Sequence, residues 1–422
     1  MRSVKVVVSV ITIMSFLVVM SVAAVAGPTC LGRAATIVGT DEDDVLEGTP
    51  GPDVIVGGSG DDDVDAKGGN DLICGGGGVD TLKGGGGDDV ISGGAGHDKR
   101  KSGIYAHVVG YEVSFPPGAT GALYGGAGND TLFGDAGDDS LDGEDGSDRL
   151  VGGPGADRLD GAEGDDTIEG GSGRATVYGG PGNDTITTSD ADDNIYAADG
   201  NDRIDAGRGQ NRIDGSAGQD VIRSGPGDDN IYAGTGDDVV HAGGGNNRID
   251  ANAGDDVVSS GDGDDNVYAS TGNDTIRVGS GQNRVDANAG NDVVSSGDGD
   301  DNIYAGSGND RIHAGAGQNR IDGSAGDDEI SSGDGNDNIY AGSGIDRISS
   351  GGGKDAVYGG DDADRMELGD GDDRGYGEGG DDHIYGGAGD DNLDGGSGAD
   401  VLDGGTGNDR CYDTAEDHTD NC

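Results

Sequence analysis

Large aliphatic residues recur every nine positions along most of this chain, and two places before each stands an acid or, rarely, its amide. Residues 125–133, GGAGNDTLF, show the unit in full: GGxGxDxUx, with U the aliphatic. At the sixth position Asp44, Asp53, Asp62, Asp71, Asp80, Asp89 and Asp98 keep the register without exception. The register resumes at Asp130, Asp139, Asp148, Asp157, Asp166, Asp184, Asp193 and Asp202. It continues through Asp220, Asp229, Asp238, Asp256, Asp265, Asp274, Asp292, Asp301 and Asp310. Asp328, Asp337, Asp346, Asp355, Asp364, Asp373, Asp382, Asp391, Asp400 and Asp409 complete it. In this second block Asn211, Asn247, Asn283 and Asn319 take the acid position, and Ala175 takes it once. U is Val, Ile or Leu in thirty-five of the thirty-nine units, so two residue types are phase-locked and glycine content alone does not produce the repeat.

Each unit divides into a turn, GGxGxD, and a short strand, xUx. Glycine in the turn permits positive φ and close backbone approach. Along the strand U points one way and its neighbours the other. One inward aliphatic per strand makes a thin core, so two units must face each other and close a coil of eighteen residues. Coils stacked about 4.8 Å apart form an all-β, right-handed parallel β-roll, a β-solenoid with its turns in two rows along the edges. Roughly twenty coils predict a rod roughly 95 Å long at that spacing.

Composition sharpens this picture. The chain has 84 acidic and 25 basic residues, a formal charge of −59, 94 glycines and no Trp. Low hydrophobicity with high net charge ordinarily means disorder. Here the acids sit at fixed offsets from glycines, as a ligand set does, so a cation is expected to supply the missing folding energy. The acidity argues against a nucleic-acid partner, since nothing resembles a basic stripe.

With these residues in view, the repeat resembles the haemolysin-type calcium-binding repeat of RTX proteins, a nonapeptide that builds calcium-binding β-helices. The resemblance spans about 350 residues, of the repeat-only secreted type. It implies multiple Ca²⁺ ions between turns of successive coils, held by turn carbonyls and by the sixth-position aspartates from Asp44 to Asp409. This agrees with the preference of Ca²⁺ for six to eight oxygen ligands. It implies no activity, because the family's repeats accompany toxins, proteases, lipases and epimerases and also occur alone.

The two rows of turns are not alike. Turns eighteen apart share an edge, and one edge carries Asp at every step from Asp202 to Asp346. The other alternates Asp193, Asn211, Asp229, Asn247, Asp265, Asn283, Asp301, Asn319 and Asp337. Asn keeps the carbonyl oxygen and loses the charge, and charge count tunes calcium affinity. The four Asn are therefore expected to form a weaker class of metal site; the alternative is that they relieve repulsion and leave their sites empty.

The flanks differ in composition. In residues 1–26, Arg2 and Lys5 precede an apolar run ending in Ala24, Val25 and Ala26, which reads as a Sec-type signal peptide. The run is also long enough for a retained anchor; cleavage leaves a secreted chain with no membrane span. Residues 27–40 read as a lead-in or cap, 41–98 and 123–409 as calcium-binding roll, 99–122 as an insertion forming a hairpin or flap, and 410–422 as a C-terminal cap. Export permits disulfides. Cys30, Cys74, Cys411 and Cys422 allow three connectivities, and their grouping at the two ends favours Cys30–Cys74 and Cys411–Cys422.

Catalytic patterns are not found: the six histidines include no HExxH and there is no GxSxG. Paired carboxylates recur with the ladder and suit ligation better than acid–base work. NDT sequons at Asn129, Asn183 and Asn273 fall inside turns, where bound metal would block them. Between about 193 and 340 the period doubles to 36, and one face alternates Tyr196, Tyr232, Tyr268, Tyr304 and Tyr340 with Asp214, Asp250, Asp286 and Asp322. Arg212, Arg248, Arg284 and Arg320 lie beside them. Either this is cross-strand pairing, or it is a contact face for a cell-surface glycan or protein. The expected function is a non-enzymatic, secreted, calcium-dependent structural or adhesive rod. The alternatives are an accessory ligand-binding module and an ice-binding protein, for which Thr235, Thr271 and Thr406 are too scattered a Thr set.

Overall fold

Position n lies beside position n + 18 along nearly all of the roll. In this computed structural model, which describes residues 27–95, 122–412 and 418–422, Ile213 pairs with Ile231, Ile231 with Ile249 and Ile249 with Val267, all in parallel. Two ladders result, of 21 and 20 strands, and no helix occurs among the described residues. The roll is thus the expected all-β parallel solenoid with two nonapeptides per coil. The 21-strand ladder runs from Ile37–Val38 to His418–Asp420 and follows the turns that contain Asp53, Asp71 and Asp89. The 20-strand ladder runs from Val45–Glu47 to Arg410–Tyr412 and follows the turns that contain Asp44, Asp62 and Asp80. We call these rows of turns the first and second edge.

The described ladder is longer than the repeat code at both ends. Ile37 pairs with Ile55, so the expected lead-in already holds a rung. At the far end Val401 pairs with His418, so part of the expected cap is a strand. Thr81 pairs with Ala122 and Val90 with Thr131, a step of 41 residues in place of eighteen. The insertion expected over 99–122 therefore leaves and re-enters between neighbouring rungs, and Ala122 belongs to the strand Ala122–Ala127. Asp98, the segment 1–26 expected to be a signal peptide, and the body of the expected insertion lie outside the described residues.

One expectation about the core needs correction. Three positions of every nine point inward, not one: the acid, U, and the residue two beyond U. Asp229, Ile231 and Ala233 are 2 %, 0 % and 0 % exposed. The third column holds small residues such as Ala197, Ala206, Ala251 and Ser224. At its largest occupant, Leu368, the neighbouring U yields. Leu368 occupies it beside Gly375, which stands at a U position, and a methyl built on Gly375 would lie 3.1 Å from Leu368 Cδ1 and 2.9 Å from Ile384 Cγ2. The two departures from the repeat compensate each other.

Glycine is required most strictly at the fourth position of the turn. Gly272 has φ +140, and a methyl there would collide with the Gly254 carbonyl oxygen one coil below. The second position tolerates side chains in the left-handed region, as at Ser270 with φ 77 and Asn252 with φ 73. Gly272→Ala should therefore destabilise the calcium-loaded roll by about 1–3 kcal/mol. Ser270→Gly should be neutral or stabilising by up to about 1 kcal/mol. Denaturant midpoints measured in saturating calcium compare the two.

Both ends are crosslinked. Cys30, on the antiparallel pair Thr29–Cys30 and Arg33–Ala34, is bonded to Cys74. Cys411 is bonded to Cys422 and packs at a U position against the last coils. Open ends of a β-stack expose unpaired backbone, and these bridges hold covering segments there.

Candidate metal centre

The inward acid of each unit is built into the stack by one of its two oxygens. Asp238 N–H donates to Asp256 Oδ1 at 2.8 Å, and Asp256 N–H donates to Asp274 Oδ1 at 2.9 Å. The same bond crosses the insertion, from Asp89 N–H to Asp130 Oδ1 at 2.5 Å. The side chains thus form a continuous ladder with the backbone of the coil before.

The second oxygen is left over. Oδ2 of Asp148, Asp166, Asp184, Asp202, Asp220, Asp238 and Asp256 is buried and accepts no hydrogen bond, and the same holds at Asp274, Asp292, Asp310, Asp328, Asp346 and Asp364. Each faces a further acceptor. A methyl built on Gly359 would lie 2.6 Å from Asp364 Oδ2 and 3.0 Å from the Gly377 carbonyl oxygen. A buried carboxylate oxygen opposite a carbonyl oxygen, with no donor between them, is costly. Repeated at nearly every coil, this is a donor set for a hard cation.

The local electrostatics agree. Burial pushes the carboxyls of Asp148, Asp184, Asp202, Asp238 and Asp256 up to about 7, against the pull of the backbone N–H each accepts. Aspartates one coil above and below add to the rise at Asp184 and Asp256. Asp364 reaches about 8 for the same reasons.

Asp98 aside, the structure places the expected ligands from Asp62 to Asp409 in two columns, with the Asn residues and Ala175 in the second. It treats the first acid of each column differently. Thr40 N–H and Oγ1–H donate to Asp44 Oδ2 at 2.5 and 2.8 Å. Thr49 does the same for Asp53 Oδ2 at 2.7 and 2.9 Å. Residues of the turn therefore already satisfy these two end carboxylates.

Sequence reasoning left one polar position without a role. The fifth residue of the turn is often Asp or Asn, and it forms an outer ladder of opposite sense. Asp255 N–H donates to Asp237 Oδ1 at 3.0 Å, and Asn201 N–H donates to Asn183 Oδ1 at 3.0 Å. The frequency of Asp and Asn before the sixth-position acid was the available signal. Asn129, Asn183 and Asn273 belong to this exposed ladder, so their side chains project outward rather than against the inner column.

Among the described residues no three His, Cys, Asp or Glu side chains converge as a metal cluster. Any bound cation must complete its shell with backbone carbonyls. The family model of the RTX calcium-binding nonapeptide repeat (4 copies) matches residues 38–73, 75–99 and 122–150, then a series of overlapping segments to 376–411. This chain belongs to the RTX calcium-binding repeat family. No curated protein matches it. As an RTX β-roll the chain binds Ca²⁺, and its donor set fits that ion: carboxylate and carbonyl oxygens, with a buried oxygen held open at the Asp-lined steps inside the roll. The Asp Oδ2 atoms and the facing carbonyls would hold it, and what it supplies there is positive charge between coils.

The tyrosine face is largely self-satisfied. Arg248 pairs with Asp250 at 2.6 Å and lies over Tyr268 at 4.9 Å. Arg284 pairs with Asp286 at 2.8 Å and lies over Tyr304 at 5.2 Å. These are the cross-strand contacts weighed from the sequence. Further along, Tyr340, Tyr358 and Tyr376 stack directly with centroids 4.9 Å apart.

Proposed function

We propose that this RTX roll is exported, lacks enzymatic activity, and folds on calcium outside the cell into a structural or adhesive rod. The observation that carries the reading is the pair of edge columns themselves. They engage nearly every inward acid of the described roll, and the described residues present no separate catalytic constellation. Extracellular calcium modules work with Kd of about 10⁻⁴–10⁻³ M, so such a chain would stay unfolded until it met external calcium. Among the described residues no helix is long and apolar enough to cross a membrane. The test is fractionation of the source culture with immunodetection. The expected result is chain lacking residues 1–26 in the medium or on the cell surface, released or unfolded by chelator. Retention of the full-length chain inside the cell overturns the reading.

A second reading, a glycan- or protein-binding module, is favoured by one feature. The stacked Tyr340 and Tyr358 border an open groove of about 430 Å³ with Asp361 and Glu378. Flat aromatic ladders suit planar ligands. Binding of the calcium-loaded chain to a glycan array, lost in Tyr358→Ala with an unchanged circular dichroism spectrum, supports this role. Equal binding by both proteins contradicts it.

A further inference from the structure

We infer that the middle of the second edge is a calcium-free rail, in which side-chain donors do between coils what the cation does elsewhere. The inference rests on calcium binding at the Asp-lined steps. It concerns the stretch from Ala175 to Asp355, where the second edge departs from the repeat in two coordinated ways.

The first departure is at the acid position. The backbone N–H of Asp193 donates to Asn211 Oδ1 at 3.1 Å, and that of Asp265 donates to Asn283 Oδ1 at 3.0 Å. Those bonds fix the amide orientation, because only the oxygen can accept. The NH₂ group therefore occupies the place of the Oδ2 left over in the Asp turns, and there it meets acceptors. Asn283 Nδ2 donates to the Gly279 carbonyl at 3.0 Å, Asn319 Nδ2 to the Gly315 carbonyl at 3.1 Å, and Asn247 Nδ2 to the Gly245 carbonyl at 3.1 Å. Asn211 Nδ2 reaches the Ser224 carbonyl of the next coil at 3.3 Å. Turn carbonyls needed to complete a cation's shell are thus already hydrogen-bonded.

The second departure is at the first position of the alternate turns, where Ser or Thr replaces Gly or Ala. Thr188 Oγ1 donates to the Ala206 carbonyl at 2.9 Å, Ser224 Oγ to the Ala242 carbonyl at 2.8 Å, and Ser332 Oγ to the Ser350 carbonyl at 2.8 Å, whereas Ser260 and Ser296 at the same position make no such bond. On the Asp-only edge the equivalent carbonyls face a bare carboxylate oxygen. At Ala175 the site is filled outright. A methyl built on Gly170 would meet Ala175 Cβ at 2.8 Å and Thr188 Cγ2 at 2.9 Å, whereas one built on Gly152 meets Asp157 Oδ2 and the Gly170 carbonyl.

Asp193, Asp229, Asp265, Asp301 and Asp337 keep a buried Oδ2 that accepts no hydrogen bond, as on the first edge, so the difference lies in how many such oxygens a step offers. From Asp229 to Asp301 each has Asn both above and below, so a step there offers one carboxylate where a first-edge step offers two. With lower charge throughout, and with turn carbonyls engaged by the Asn amides, these steps should stay empty at calcium concentrations that fill the first edge. The Asn turns are then substitutes for metal sites rather than weaker versions of them. The roll is loaded asymmetrically, continuously on one edge and at the two ends of the other.

The experiment counts bound calcium per mature chain by equilibrium dialysis. It compares wild type, a variant with Asn211, Asn247, Asn283 and Asn319 all replaced by Asp, and a converse first-edge variant. The converse carries Asp220→Asn, Asp256→Asn, Asp292→Asn and Asp328→Asn. Eight steps separate Asp193 from Asp337, so the first variant should gain about eight ions. The converse variant should lose about eight, and it decides the matter if the first does not fold. Equal counts in wild type and the folded Asp variant overturn the inference, as does a converse variant that loses no ions. Wild type that binds no calcium at all overturns instead the calcium reading on which the inference stands.

Discussion

In excess chelator the mature chain is expected to expand to a radius of gyration of about 70 Å, the value for an unfolded chain of this length. In millimolar calcium it should contract to about 30 Å, as for a rod of roughly 95 Å built from coils about 4.8 Å apart. The cause is the column of buried carboxylates. Without a cation, Asp202, Asp220, Asp238, Asp256 and Asp274 are stacked one coil apart, each with an oxygen that finds no donor. The core that opposes this is one aliphatic and one small residue per unit, for example Ile204 and Ala206. Binding to the folded state alone contributes RT ln(1 + [L]/Kd) per site, about 1.4 kcal/mol for each site at ten times Kd. Summed over the first edge that is tens of kcal/mol, far more than the usual net stability of a domain. Small-angle scattering in chelator and in calcium reads the change. A compact rod in both solutions is the outcome this account does not permit.

Acid should partly replace calcium. The first-edge carboxyls are raised in the fold, to about 7 at Asp202, Asp238, Asp256, Asp310 and Asp328, chiefly by burial. In the unfolded chain they titrate near the ordinary value of 3.8. The folded state therefore binds protons more tightly than the unfolded state. The stability this contributes is fully present below about 3.8 and is lost as pH rises through 6 to 7. In chelator, β-structure should accordingly be greater at pH 4 than at pH 8. In saturating calcium this gain disappears, because the ions occupy the same oxygens and the loaded fold carries no protons there. The free calcium needed for half-folding should therefore hold or fall as pH drops from 7 to 5, where the unfolded chain is already ionised, and should rise only near pH 3.8, where unfolded carboxyls take up protons that binding must displace. Circular dichroism across this grid checks both halves, and a calcium midpoint that rises steeply between pH 7 and pH 5 contradicts the second.

The roll was legible in the sequence because its period is carried by chemically unlike residues. Leu150, Leu159 and Ile168 mark the inward aliphatic, and Asp148, Asp157 and Asp166 mark the turn two places earlier. The edge assignment followed from the eighteen-residue coil alone. What stayed hidden was written in small or ambiguous residues. Ala233 and Ala251 line the core from a position that reads as turn, because its occupant elsewhere is Gly. Ser224 and Ser332 look like ordinary loop serines until the stack sets each hydroxyl against a carbonyl eighteen residues on. Thr40 likewise looks like a lead-in residue and Thr49 like an ordinary turn residue, and their role depends on the turn that brings each back to Asp44 or Asp53. Which way the Asn211 amide points is decided by the Asp193 N–H, a contact no sequence pattern displays.

The most direct test of the account is a calcium titration that follows bound ions and far-ultraviolet circular dichroism in the same sample. The two should rise together from a disordered start and level off at roughly two dozen ions, one for each step between stacked aspartates. A full β-sheet signal before calcium is bound, or a saturated chain that remains disordered, would contradict it.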